Sequence, residues 1–148
     1  MNPPDDLTSA GQDLADQVST QLRTSLEAAL ARLLVDPEAV DRALAEGSCQ
    51  TGGCTLAWRV DDRTLMLELF ADIGLPEPAR EHEAYRQMLE INLCRTHPGL
   101  YVGLHPESRR LVATTLQPAV LLVEESFCLA ALENLAAQAR QLREAAGL

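Results

Sequence analysis

The sequence predicts an α+β domain: an antiparallel twisted sheet with helices packed on one side. Three observations carry that expectation. Apolar residues recur at steps of three and four in segments at both ends and once in the middle of the chain, the signature of helices that bury one stripe. Between those segments the apolar period falls to two, in runs that come in pairs. The paired runs are joined by short polar breaks, which suffice for antiparallel neighbours and not for parallel ones. At 148 residues the chain reads as one domain, 1–148, large enough to bury a core without disulfides or metal.

The polar start, residues 1–12, is expected to be flexible. From residue 13 the positions Leu14, Val18, Leu22, Leu26, Ala29 and Leu33 line one face of an amphipathic helix. Asp36 followed by Pro37 reads as the N-cap and first-turn proline of a short second helix that ends at Gly47. Gly52-Gly53 then interrupts the chain before TLAWRV and RTLMLELF, a hairpin joined at Asp61 and Asp62. Within it Leu56, Trp58 and Val60 alternate with Thr55, Ala57 and Arg59, and Leu65, Leu67 and Leu69 alternate with Met66, Glu68 and Phe70.

After GLPEPAR, helical spacing returns over 80–96, with Ala84, Met88, Ile91 and Leu93 on one side and Tyr85, Leu89 and Asn92 beside them. Pro98 and Gly99 stop this helix. LYVGL and RLVATTL form a second hairpin around the turn HPESR. A last helix spans 125–145, with Glu124 and Glu125 at its positive end and a stripe through Phe127, Ala131, Leu135, Ala139 and Leu142.

The net charge is −10, and all twelve basic residues are Arg. An average field of that sign repels phosphates and anionic lipid, so neither nucleic acid nor a membrane surface is an expected partner. No apolar run is long enough to span a bilayer, and the opening MNPPDDLTSAGQD has neither a basic start nor an apolar stretch, so a cytoplasmic protein is expected.

Cys49, Cys54, Cys94 and Cys128 are expected to be free thiols in that compartment. The alternative is a zinc tetrad of Cys49, Cys54, Cys94 and His97, against which stand the hairpin and helix between the two pairs. His82 reads as an exposed helical residue, while His97 and His105 precede prolines and mark turn entries. No histidine sits beside a Ser or Cys nucleophile in a recognisable local pattern, "HEAYR" lacks the second histidine of a zinc-protease helix, and "CQTGGC" matches neither phosphate-loop pattern. The carboxylate pairs Asp5-Asp6, Asp61-Asp62 and Glu124-Glu125 fall at an end, a turn and a helix start, where such groups are solvated or cap helices. No catalytic residue, cofactor or metal is expected.

A surface is the better candidate. Both faces of the predicted sheet carry apolar residues, since Met66 and Phe70 oppose Leu65 and Leu67, and Tyr101 opposes Leu100 and Val102. One face can lie on the helices. The other leaves apolar area for another chain, and the sequence leaves open which face this is. Leu56, Trp58, Met66 and Phe70 are candidate anchors, with Arg59 a peripheral polar contact; Trp58 is equally compatible with a core position. The band Tyr85, Met88, Leu89, Asn92 and Leu93 is broader than one side of a sheet can bury, which makes it a candidate homodimer interface.

The segment MLEINLCRTHPGLYVGLHPESRRLVATTLQP, followed by LENLAAQARQLREAAGL, resembles the C-terminal half of the Tir chaperone (CesT) family, the class I chaperones of bacterial type III secretion. The resemblance rests on the helix ending in Asn92-Leu93, the strand closing on Gly103-Leu104 with Pro106 in the turn, the return strand ending in Leu116 and Pro118, and the final Ala-, Leu- and Arg-rich helix. It implies a homodimeric, non-enzymatic chaperone without cofactors that binds the N-terminal segment of a secreted effector and keeps it extended, with docking on the secretion ATPase an open possibility. Two features depart from the family pattern. A short helix stands at 37–46, and one clear hairpin precedes the middle helix where three strands are the rule; either Ser48 to Thr51 supplies the missing strand or the chain is divergent. A small regulatory or ligand-sensing α+β domain is the alternative.

Overall fold

The computed structural model describes the backbone of residues 5–148 and the side chains of residues 11–148. The flexible start expected over 1–12 lies outside the described residues for 1–4, and from Asp5 the backbone is helical. Helices α1 (Asp5–Leu33) and α2 (Pro37–Glu46) lead into strands β1 (Ser48–Thr51), β2 (Cys54–Asp61) and β3 (Met66–Gly74). Then follow α3 (Glu81–Cys94), β4 (Leu100–Leu104), β5 (Leu111–Pro118), a single 3-10 turn (Ala119–Leu121) and α4 (Glu125–Ala146). All five strands pair antiparallel in the order β1-β2-β3-β5-β4. The fold class is the one expected, and Ser48–Thr51 does supply the strand left open.

Local chemistry accounts for the boundaries. The Asp36 carboxylate accepts the Glu38 amide at 3.1 Å ahead of Pro37, and Gly47 ends α2 in a left-handed conformation with its amide on the Ala43 carbonyl at 2.9 Å. Gly52 and Gly53 take φ of 55° and 74°, the pair of left-handed residues that a two-residue hairpin loop requires between Thr51 and its partner Cys54. The next hairpin corrects an expectation. β2 runs through Asp61, and the turn is Asp62–Leu65 rather than Asp61-Asp62. The Asp61 carboxylate accepts the amides of Arg63 and Thr64 at 2.9 and 3.3 Å, which bends the chain one residue later than composition suggested.

The core lies between the sheet and the helices. Leu56, Leu67, Leu69, Ala71 and Ile73 face α4, which crosses β2, β3 and β5, and α1 packs on α4 through Val18, Leu22, Leu26, Ala29 and Leu30. Two stripe positions differ from expectation. Leu14 is exposed, because the Ser19 hydroxyl, one turn further on, already meets Asp62 in the β2–β3 turn at 2.8 Å, and Leu14 therefore lies past the tip of the hairpin. Phe127 is exposed as well: the buried stripe of α4 runs through Cys128, Leu132, Leu135, Ala139 and Leu142, one position round from the expected start. The split predicts opposite outcomes for two leucines. In urea unfolding Leu69→Ala loses about 2–5 kcal/mol, whereas Leu14→Ala stays within about 0.5 kcal/mol of the parent.

Candidate functional site

The face of the sheet turned away from α4 stays accessible. Ala57, Phe70, Thr114 and Tyr101 are register partners and form one row across β2, β3, β5 and β4. Tyr101 is 65 % exposed, and Met66, Phe70, Val112 and Thr114 are half-buried. Ion pairs flank the row on both sides. Arg59 and Glu68 pair through the arginine Nε at 2.7 Å, and Arg110 and Asp72 through Nε at 2.9 and 3.0 Å. A shallow pocket of about 400 Å³ lies beside Phe70, between Ala57, Val112 and the loop residues His105 and Ser108.

The sequence-predicted anchors divide between the two faces. Met66, Phe70 and Arg59 stand on the accessible side. Leu56 does not: it is wholly buried under the helices, because strand alternation turns it with Cys54 toward the core, and it cannot anchor a partner. Trp58 shares that inner side, half-buried where β2 meets Arg23 and Leu26 of α1 and Leu44 of α2. The four apolar anchors therefore do not form one patch. Tyr101, absent from that set, joins Phe70; its place in the row depends on pairing between strands far apart in sequence.

The band on α3 divides too. Leu89 and Leu93 are 68 % and 82 % exposed, but Met88 is buried against the chain's own core and is not available to a second copy. Asn92 is engaged internally. Its amide nitrogen donates to the Val102 carbonyl and its oxygen accepts the Val102 amide, each at 2.8 Å, so one side chain satisfies the outward main-chain groups at the centre of edge strand β4. Tyr85 donates its hydroxyl to Glu81, which also accepts from Arg109 at 2.9 Å, fastening the start of α3 to the β4–β5 loop. These two bonds hold the Glu81 carboxyl below its usual range.

The other edge is open. The Trp58 amide donates to the Gly47 carbonyl at 2.9 Å, and alternation of bonded pairs from there turns the main-chain groups of Ser48 and Gln50 outward. They border a groove of about 430 Å³ whose other wall is Ala39, Arg42, Ala43 and Glu46 of α2.

The reactive side chains are dispersed. Cys49 and Cys54 lie on the β1–β2 hairpin, whereas Cys94 ends α3 and His97 follows it, both leading into β4 at the opposite edge of the sheet, so the zinc tetrad is not assembled. Burial, reinforced by the neighbouring Cys54, pushes the Cys49 thiol up to about 11, and burial alone pushes Cys128 to about 11. His105 accepts the Ser108 amide at 3.2 Å within the β4–β5 loop, a turn-stabilising use of its ring. No group of three or more metal-ligating side chains occurs among the described residues, and no helix there is long and apolar enough to cross a membrane.

Comparison with known proteins adds two findings. The family model described as "Tir chaperone protein (CesT) family" matches residues 60–143. Among solved structures, one described as "Crystal Structure of the ExsC-ExsE Complex" superposes with a TM-score of 0.55 at 19 % identity, over 66 % of this chain and 72 % of that one. No curated protein matches. The likeness to the solved structure shows a shared fold.

The thiol environments predict a labelling pattern. At pH 8 the native chain takes up one alkylating group, at the exposed Cys94, and the buried Cys49, Cys54 and Cys128 react only in denaturant, as intact-mass measurement will read.

Proposed function

The chain belongs to the Tir chaperone protein (CesT) family, and on that premise we propose that it is a non-enzymatic chaperone of a bacterial type III secretion system. It binds the N-terminal segment of one or more secreted effectors in the cytoplasm and keeps that segment extended, soluble and competent for export. The observation that carries this reading is the accessible apolar row of Ala57, Phe70 and Tyr101 in a chain whose family match covers β3, β4, β5 and most of α4. An accessible apolar row between ion pairs suits a segment that presents spaced apolar side chains. The open β1 edge adds main-chain pairing that does not depend on side-chain identity, which suits extended cargo.

A second copy fits a different surface. Leu89 and Leu93 project from α3 beside the edge of β4, and a two-fold contact there buries apolar side chains that the monomer leaves in water. Asn92 contributes indirectly, by fixing α3 against β4. Docking of the loaded dimer on the secretion ATPase belongs to the same proposal.

Two experiments test these assignments. Phe70→Ala and Tyr101→Ala each weaken capture of the cognate effector fragment by about 2 kcal/mol with the melting temperature nearly unchanged, whereas Leu56→Ala loses stability first. Wild-type capture by both surface variants rejects this face as the effector site. For the dimer, light scattering on a sizing column gives twice the chain mass for the parent, and Leu89→Arg shifts it toward the monomer by placing a charge in a desolvated centre. A parent that elutes as monomer at micromolar concentration rejects the interface.

A further inference from the structure

Between α1 and the start of α4 runs a groove of about 460 Å³, walled by Gln21, Thr24, Ser25 and Ala28 on one side and Val123 and Glu125 on the other. Ser25 forms part of its floor. This residue is 4 % exposed, and among the described residues its hydroxyl is the buried side-chain polar atom that lacks a hydrogen-bond partner. The helix does not impose that state. Thr20 and Thr24, on the same helix, donate to the carbonyls of Asp16 and Thr20 at 2.8 and 3.1 Å, the back-bond that helical hydroxyls usually make. Native proteins leave few buried polar groups unpaired, because each one forfeits its hydration without replacement.

We propose that this groove is a subsite for the main chain of a bound peptide segment, with the Ser25 hydroxyl donating to one peptide carbonyl. Ser25 lines the groove, and a single torsion, χ1, sets the direction of its hydroxyl. The charge at the rim selects the type of acceptor. Glu125 stands in the wall, already paired with Arg32 at 3.3 Å, and Glu124 precedes it, so a carboxylate or phosphate is repelled while a neutral carbonyl is not. Ala28 and Val123 give the groove apolar walls for a small aliphatic side chain, and the exposed Val120 and Leu121 extend that surface along the 3-10 turn packed on α1. The site deepens the chaperone role and rests on it for the identity of the segment; the unpaired hydroxyl does not depend on that role.

The test uses the ¹⁵N-labelled full chain and two small probes: N-methylacetamide, a neutral peptide group, and acetate, an anion. With N-methylacetamide the amide signals of Ser25, Ala28 and Val123 move in the parent, and at least fivefold less in Ser25→Ala and in Ala28→Leu, which keeps the hydroxyl and fills the groove. Acetate leaves them in place. Ser25→Ala also melts higher than the parent, because the orphaned hydroxyl is gone. Equal shifts in parent and Ser25→Ala, a stronger response to acetate, or a lower melting temperature for Ser25→Ala each overturn the subsite. Because the probe is not an effector, a chain that captures effector but ignores N-methylacetamide loses only the subsite. A chain that responds to N-methylacetamide but captures no effector loses only the chaperone role.

Discussion

A strand cannot turn consecutive side chains to the same side, and β3, hydrogen-bonded along both edges between β2 and β5, imposes that constraint on everything around it. Leu67, Leu69, Ala71 and Ile73 point to α4 and are buried, so Glu68, Phe70 and Asp72 must point the other way. Registration with β2 and β5 then carries the division outward: Ala57 and Thr114 share the side of Phe70, while Leu56 and Ala113 share the side of Ala71. Once α4 occupies one face, the composition of the other follows. The same division places deeply buried and accessible apolar residues next to one another on a single strand.

The two sheet edges are handled by different devices. At β4 the Asn92 side chain stands in for a neighbouring strand at Val102, which holds α3 alongside and keeps that edge from pairing with another chain. At β1 no such plug is present among the described residues, and a groove against α2 runs beside the free main-chain groups. An asymmetric sheet of this kind has one edge suited to adding a strand and one that presents side chains from a fixed helix. On the chaperone reading these become the cargo edge and the copy-to-copy edge, respectively.

What could be read from the sequence was what short-range chemistry decides. Asp36-Pro37 and Gly47 set the ends of α2, and the alternation in TLAWRV and RTLMLELF locates both strands, although Arg63, Thr64 and Leu65 belong to the turn, because caps and pleats are set by neighbours within a turn. The choice of face was not readable. Leu56 and Phe70 are equally apolar and both alternate cleanly, and only the position of α4, whose chain begins more than fifty residues later, buries one and not the other. Asn92 reads from the sequence only as part of a helical band, since nothing within the helix announces that a strand edge ten residues on uses its amide. Met88 was misplaced for the same reason: its spacing is amphipathic, but the side that faces α4 is a tertiary fact.

The charges explain how such a face can remain open in water. With a net charge of −10 and no lysine, the chain repels its own copies at long range, yet the arginines on the accessible face are placed beside carboxylates: Arg59 on Glu68 and Arg110 on Asp72. The first pair bridges β2 and β3, and the second ties the residue before β5 to β3, each next to the apolar row and not within it. A guanidinium held flat by a carboxylate offers little to an arriving apolar side chain except its edge, so the row is framed by groups that stay hydrated while its centre loses water readily. Surface ion pairs of this kind contribute little stability, about 0–1 kcal/mol each. Their consequence is geometric: they stand beside the row of Ala57, Phe70, Thr114 and Tyr101 and interrupt the apolar surface with charge. A partner with apolar side chains spaced to that row gains contact that a featureless hydrophobic surface does not, and selectivity for a segment with that spacing follows from the framing as much as from the apolar residues themselves.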